Sequence, residues 1–291
     1  MSRDDRGRSF VTWGGDGALQ MGWDAALLEA AEEGRAGATL RFSTWTPAAV
    51  SIGRFQDVAR AVDVERARAA GFDVVRRPTG GRAVLHDGDL VYTLVARRDD
   101  PAFGGTREAS LRAIAEALAA GLAALGVACE LAEGRPAPWP DRGAAAQPCF
   151  ASASRDEIRA GSRKLIGSAR VEGRAAFLQH GSLALTRRPE RLADLAPIPI
   201  ASRAALSLRL AAASASLDAI AGRSVGAAEA VRALRTGFEA RADRAFPEES
   251  LTAADARRAR ALSAALSIAR AATSFAAASA SPLASPLSAS A

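Results

Sequence analysis

Residues 158–185 read IRAGSRKLIGSARVEGRAAFLQHGSLAL, and this stretch decides the fold. Gly161-Ser162 interrupts a strand-like run, so Ile158 to Ile166 reads as a hairpin. A second turn at Glu172-Gly173 leads into a strand from Ala175 to Leu185. Turns this short join antiparallel neighbours, because parallel ones need a long crossover. The stretch is therefore a β-meander. Side chains alternate across a strand, which sets Lys164, Ile166 and Ser168 on one face and Leu165, Gly167 and Ala169 on the other. Gly167-Ser168-Ala169 puts small residues where bulk is expected, leaving room for a ligand or for a closely packed helix.

Upstream of the meander, short strand-like runs stand at Thr39–Phe42, Ala49–Ile52 and Phe72–Val75. Ala83–Leu85 and Leu90–Val95 read as a further hairpin around Asp87-Gly88-Asp89. Helical spacing of apolar residues marks Asp16–Gly34, Asp63–Gly71 and Thr106–Leu125, the first with Leu19, Trp23, Ala26, Leu27 and Ala30 on one stripe. Glu133–Pro148, rich in Gly, Pro and Ala, reads as a long loop of the kind that carries function or moves. From Pro189 the chain turns helical, with helices predicted at Gly226–Ala240 and Leu251–Ile268. The pattern gives an α/β class, more closely α+β: a mixed, largely antiparallel sheet flanked by helices, with a helical C-terminal part. Residues 271–291 are almost entirely Ala, Ser, Pro and Leu and are predicted to be disordered.

With 291 residues, 49% hydrophobic and 24% charged, the chain has globular composition and length enough for a large core. No apolar run reaches the ~20 residues of a membrane span. The N-terminus mixes both signs of charge with no apolar stretch behind it, so a cytoplasmic location is expected. Two cysteines, Cys129 and Cys149, make no disulfide framework and share no metal-ligand spacing with His86 and His180, so no metal is expected. The net charge of +6 suits an acidic partner, but no dense basic run or aromatic-interleaved patch points to nucleic acid. The basic residues comprise 37 arginines and one lysine, Lys164. An ammonium can exchange a proton when buried, which a guanidinium cannot, so the lone lysine is a candidate for chemistry.

Candidate site residues cluster in a few places. Arg76-Arg77-Pro78-Thr79-Gly80-Gly81-Arg82 is a strand end entering a double-glycine turn, where backbone can approach a ligand and arginines can meet a phosphate or carboxylate. It has neither P-loop nor Rossmann spacing. Cys149, at the edge of the long loop, is a candidate nucleophile, and Lys164 on the following hairpin could favour its thiolate. Cys129 follows apolar residues and reads as a small core side chain. His180 could bond a substrate carbonyl or be a satisfied structural histidine, and in His86-Asp87 the acid could orient the ring.

These pieces resemble the biotin and lipoate protein ligase superfamily, and within it the octanoyltransferases of the LipM type. The resemblance rests on Arg41–Pro47, Ser51–Gln56, Arg76–His86, Pro148-Cys149-Phe150, Gly161–Ala169 and Leu178–Ser182, in the family's order. It implies a catalytic domain over residues 1–245 with core motifs in 35–185, followed by a C-terminal helix in 246–270. It also implies transfer of an octanoyl group from octanoyl-acyl carrier protein to a lysine of a lipoyl-domain protein, such as the glycine cleavage H protein or a 2-oxoacid dehydrogenase E2. No cofactor, membrane or nucleic acid would be involved. By resemblance Cys149 is the acyl nucleophile, and Lys164 holds the acyl carbonyl or assists proton transfer. Arg77, Thr79, Gly80, Gly81, Arg82, His86, Gly167, Ser168, Ala169 and His180 bind substrate. An ATP- and magnesium-using lipoate ligase, an octanoyl-H protein amidotransferase and a non-enzymatic relative that only binds acyl-carrying proteins are the alternatives, and a cysteine at position 149 is not expected in the ligase. Departures are Asp156 before Glu157, Arg170 where the family's Gly-Ser-Ala-Gln has glutamine, and a C-terminal part without the aromatic motif common in relatives.

Overall fold

A computed structural model describes residues 7–132, 157–186 and 189–270. The meander forms as read: β8 (Ile158–Ala160), β9 (Arg163–Glu172) and β10 (Ala176–Ala184) are consecutive antiparallel neighbours. Gly161, at φ +58°, makes the first turn, a conformation that costs glycine little. Three further strands, β1 (Arg8–Thr12), β2 (Thr39–Ser43) and β6 (Asp89–Arg97), extend the sheet on one side, and β7 (Glu130–Leu131) closes the other. The order is β1-β2-β6-β10-β9-β8-β7, with β1 and β2 parallel and the other pairs antiparallel. A smaller sheet, β11-β4-β3-β5, holds β3 (Ala49–Ile52), β4 (Asp73–Arg76), β5 (Val84–His86) and β11 (Ser267–Ala269), with β3 and β4 parallel.

One face of the large sheet is covered by α4 (Arg107–Ala123) and α8 (Ala227–Ala242). Leu40, Phe42, Tyr92, Leu94, Phe177 and Leu183 pack there on Ile114, Leu118, Leu122, Leu234 and Phe238, forming the main core. The other face carries α1 (Gly17–Glu32), capped by the Asp16 carboxylate on the Leu19 N–H. Leu27 and Ala31 of this helix meet Phe10, Val95 and Leu178 of the large sheet. Nearer the start of the helix, Ala18 and Met21 meet Val91 of the large sheet together with Trp45, Ala49 and Val75 on the small-sheet side. The first helix thus bridges the two sheets, and its polar residues Gln20 and Asp24 are buried at the junction.

Two readings need correction. Ala83–Leu85 and Leu90–Val95 are strands but not a hairpin: β5 pairs with β3 in the small sheet, while β6 lies between β2 and β10 in the large one. The chain changes sheets at Asp87-Gly88, with Gly88 at φ +78°. Strand pattern and turn residues fix each element, but the partner is set by which core each apolar face reaches, and Leu85 packs in the core of the small sheet. The predicted helix Leu251–Ile268 ends early. Here α9 (Ala253–Ser263) opens on a Thr252–Asp255 capping box, a 3-10 turn follows at Ala264–Leu266, and Ser267–Ala269 adds β11 to the edge of β4. Leu266 packs beside Ala49 and Val75, Ile268 and Ala269 pack beside Val50 and Val74, and Ser267 and Ala269 pair with β4 through an irregular register. The tail at 271–291 and the loop 133–148 lie outside the described residues.

Candidate active site

Where the sheets meet, a cleft of about 380 Å3, including its part open to solvent, opens beside α1. The small sheet and its turn contribute Ser51, Arg77, Val84 and His86. The large sheet contributes Val91, Gly167-Ser168-Ala169 and His180-Gly181-Ser182, and α1 contributes Met21. The small residues of β9 serve as space for the cleft rather than for a helix. Gly181 is required beside them, since a Cβ there would lie 2.5 Å from the Tyr92 ring and 2.8 Å from Gly167 O. Tyr92 passes behind, its hydroxyl 2.7 Å from Ser168 Oγ and accepting from Gln179 at 3.1 Å, and burial pushes that phenol up to about 12.

Each histidine of the cleft sits between a buried carboxylate and a hydroxyl. His180 Nδ1 lies 2.7 Å from Asp24 Oδ2, and its Nε2 lies 2.7 Å from Thr79 Oγ1. Asp24 also accepts from Arg41 at 2.6 Å and from Thr93 at 2.9 Å, and Arg41 in turn donates to Gln20 and Thr12. Burial alone would raise the Asp24 carboxyl, but Arg41 and His180 outweigh it and hold the group at about 2. Burial pushes the His180 imidazole down from its ordinary range, Asp24 pulls it part of the way back, and the nearby Arg77 and His86 oppose protonation further. On the opposite wall, His86 Nε2 lies 2.9 Å from Ser51 Oγ and Nδ1 lies 2.8 Å from Asp89 Oδ2. Trp45 stacks on the ring at 3.9 Å between centroids, and Ser182 donates to the same Asp89 oxygen at 2.6 Å.

The arginines of the turn act on the backbone. Arg77 donates to Ser51 O, Gly80 O and Arg82 O, and Arg76 reaches the carbonyls of Gly53, Arg54 and Gln56. A Cβ on Gly53 would lie 2.0 Å from Gly81 O, so the two loops stack only through glycine. Of the expected residues, Arg77, His86, Gly167, Ser168, Ala169 and His180 thus come together on one wall or the other. Thr79, Gly80, Gly81 and Arg82 form the turn behind Arg77 and His180. Lys164 is buried on β9 and is not part of the cleft wall among the described residues; its Nζ donates to Glu157 Oε1 at 2.5 Å. Cys149 lies outside the described residues. Cys129 is half-buried against the main core, as read, and burial beside Glu130 raises its thiol, the opposite of an activated nucleophile.

Residues 16–239 match the model of the lipoyl protein ligase A/B catalytic domain. The chain belongs to this family. The octanoyltransferase LipM of Moorella thermoacetica is 43% identical over 185 residues, covering 63% of this chain and 67% of that protein. LipM of Kyrpidia tusciae is 38% identical over 236 residues, covering 79% of this chain and 85% of that protein. Among solved structures, a lipoate-protein ligase A bound with ATP superposes at TM-score 0.71 and 25% identity, covering 89% of this chain and 94% of the other.

In this member of the family, several polar residues around the cleft were not singled out by the sequence. The acid paired with His86 is Asp89, three residues on, whereas Asp87 bonds Arg191 instead. Arg41 and Ser51 open two of the stretches that carry the resemblance but were given no role, Glu157 was noted only as following Asp156, and Asp24 was missed. A local signal existed for Asp24: Gln20 and Asp24 stand one helical turn apart, on a helix that is otherwise apolar where it is buried.

Proposed function

We propose that this chain transfers an octanoyl group from octanoyl-acyl carrier protein to a lysine of a lipoyl-domain protein, through a thioester on Cys149. The observation that carries the reading is kinship with the octanoyltransferases over most of the chain, combined with Cys149 in the run Pro148-Cys149-Phe150. The cleft suits an acyl chain. Its wall includes Met21, Val84 and Val91 beside Gly167 and Ala169, with polar groups gathered at the two histidines.

In the first half-reaction the Cys149 thiolate attacks the donor's thioester carbonyl, and the carrier's thiol leaves. In the second, the acceptor's lysine amine attacks the thioester on Cys149, an amide forms, and the thiolate is released. The first exchange is nearly balanced and the second runs downhill, so neither needs ATP, and no cofactor is part of the scheme. Lys164 is proposed to hold the acyl carbonyl, the first of its two expected roles, and its side chain is fixed by the bond to Glu157. The glycine cleavage H protein and 2-oxoacid dehydrogenase E2 are the proposed acceptors, and the positive net charge suits acidic carrier domains. A free catalytic thiol fits the reducing cytoplasm. Among the described residues no helix is long and apolar enough to cross a membrane.

An ATP-dependent lipoate ligase is the second reading, favoured by the superposition on a ligase A bound with ATP. Intact-protein mass spectrometry after incubation with octanoyl-acyl carrier protein, without ATP, separates the two. The transferase gains one hydroxylamine-sensitive octanoyl group that Cys149→Ala does not gain. A protein that stays unmodified, yet releases pyrophosphate from ATP and lipoate and keeps that activity as Cys149→Ser, is the ligase. Better charging from octanoylated H protein than from the carrier would mark the amidotransferase.

A further inference from the structure

We infer that Ser51 and His86, oriented by Asp89, form the relay that takes up the proton released when the acceptor's amine attacks the acyl thioester. The inference rests on the transfer reading above and concerns its second half-reaction only. That step needs a base, because the nitrogen that forms the amide bond must shed a proton as the C–N bond forms and the C–S bond breaks.

The hydrogen bonds fix the direction of the relay. The Asp89 carboxylate can only accept, so Nδ1 of His86 carries the ring proton and Nε2 presents its lone pair. The Ser51 hydroxyl therefore donates to Nε2 at 2.9 Å. Arg77 Nη1, 3.2 Å away, occupies one lone pair of Ser51 Oγ, leaving the second as an acceptor in a residue that lines the cleft. An attacking nitrogen would pass its proton to Ser51 Oγ while the serine's own proton moves to His86 Nε2. The imidazolium so formed faces Asp89, which carries the compensating charge, and the ring afterwards returns the proton to solvent or to the released thiolate. Trp45 on one face of the ring and Ser182 on Asp89 hold the array in place.

The other candidate bases are engaged elsewhere. Lys164 gives an N–H to Glu157 and is not part of the cleft wall among the described residues. His180 has the same partner types as His86, but its hydroxyl belongs to Thr79, which is not part of the cleft wall among the described residues, whereas Ser51 is. The charged and titratable groups around His86 are Asp89 on its own turn, Arg77 from the double-glycine turn and His180 across the cleft.

Two single-turnover measurements test the relay: loading of Cys149 from octanoyl-acyl carrier protein, read by intact mass, and the chase of the loaded enzyme with a lipoyl domain. His86→Gln is expected to slow transfer roughly 100-fold more than it slows loading. Asp89→Asn keeps the shape of the site but not the tautomer and should show the same split. Ser51→Ala should lose about tenfold or more in transfer. In all three, transfer should recover as pH rises towards the range where the acceptor amine deprotonates unaided, whereas wild type levels off earlier. Loading and transfer falling together in the shape-preserving variants, or transfer unchanged at every pH, would overturn the relay. A wild-type protein that never loads overturns the transferase reading itself, and that outcome shows before any variant is compared.

Discussion

Arg41 is the most demanding residue of the interior: a guanidinium with no exposed surface, sustained by Asp24, Gln20 and Thr12. Removing a partner from such a pair costs more than the pair contributes, because the remaining charge stays buried and uncompensated. Asp24→Ala is therefore expected to lose about 3–5 kcal/mol in urea unfolding at pH 7. Asp24 titrates at about 2 in the folded chain, below its ordinary value. Its ionised form thus contributes roughly 2 kcal/mol that is present above pH 4 and lost as pH falls towards 2. The stability gap between wild type and Asp24→Asn should narrow over that window, and a gap that stays constant down to pH 2 would refute the assignment. Residues such as these were only partly legible. Lys164 was conspicuous as the one lysine, whereas its partner Glu157 lies across the turn at Gly161-Ser162 and is an ordinary acid until the hairpin closes. Asp24 sits one position after Trp23 in an apolar stripe, and nothing local to this helix says that Arg41, on β2, will meet it.

Elements were read more reliably than their partners. The helices α1, α3 (Val64–Ala69), α4 and α8 and the meander follow from apolar period, caps and glycine stops, all local signals. Which elements touch is decided by surfaces that only the assembled cores define, which is why β5 and β6 look like a hairpin and are not. Glycine in a helix interior is a partial signal for contact, since it costs about 1 kcal/mol relative to alanine unless something approaches closely. Gly121 and Gly237 are of this kind. A Cβ on Gly237 would lie 2.2 Å from Ala117 O, and one on Gly121 would lie 2.7 Å from Ala233 O, so α4 and α8 cross backbone against backbone. Gly237→Ala should accordingly destabilise the protein by about 1–3 kcal/mol despite its better helix propensity. Denaturant midpoints measure this, and a gain in stability would mean that the two helices separate freely.

At the scale of the whole molecule, the cleft exists because one helix spans two sheets and one turn of the small sheet leans against the large one. The lean is held by the Thr79–His180 hydrogen bond, and the turn itself is seated on the loop after β3 by the stacking of Gly53 under Gly81. Motifs that the sequence presents as separate, at 51–56, 76–86, 161–169 and 178–182, converge here, and their order along the chain foretold a common site but not its two-walled form. Gly53→Ala tests the arrangement. The added methyl meets a backbone carbonyl at 2.0 Å, so the turn at 78–82 must shift, and Arg77 and Thr79 must shift with it. Both histidine networks would then be displaced at their hydroxyl ends, since Ser51 loses its Arg77 donor and His180 loses Thr79. Overpacking of this sort costs about 1–3 kcal/mol, which the large sheet and its helices should survive with their secondary structure intact. Misplacing a positioned group by an ångström can cost about 100-fold in rate, so acyl transfer should fall far more than thermal stability. Circular dichroism melting beside single-turnover transfer gives both numbers from one preparation. A variant that is destabilised but transfers at the wild-type rate would show that the turn only closes the small sheet and does not position the site.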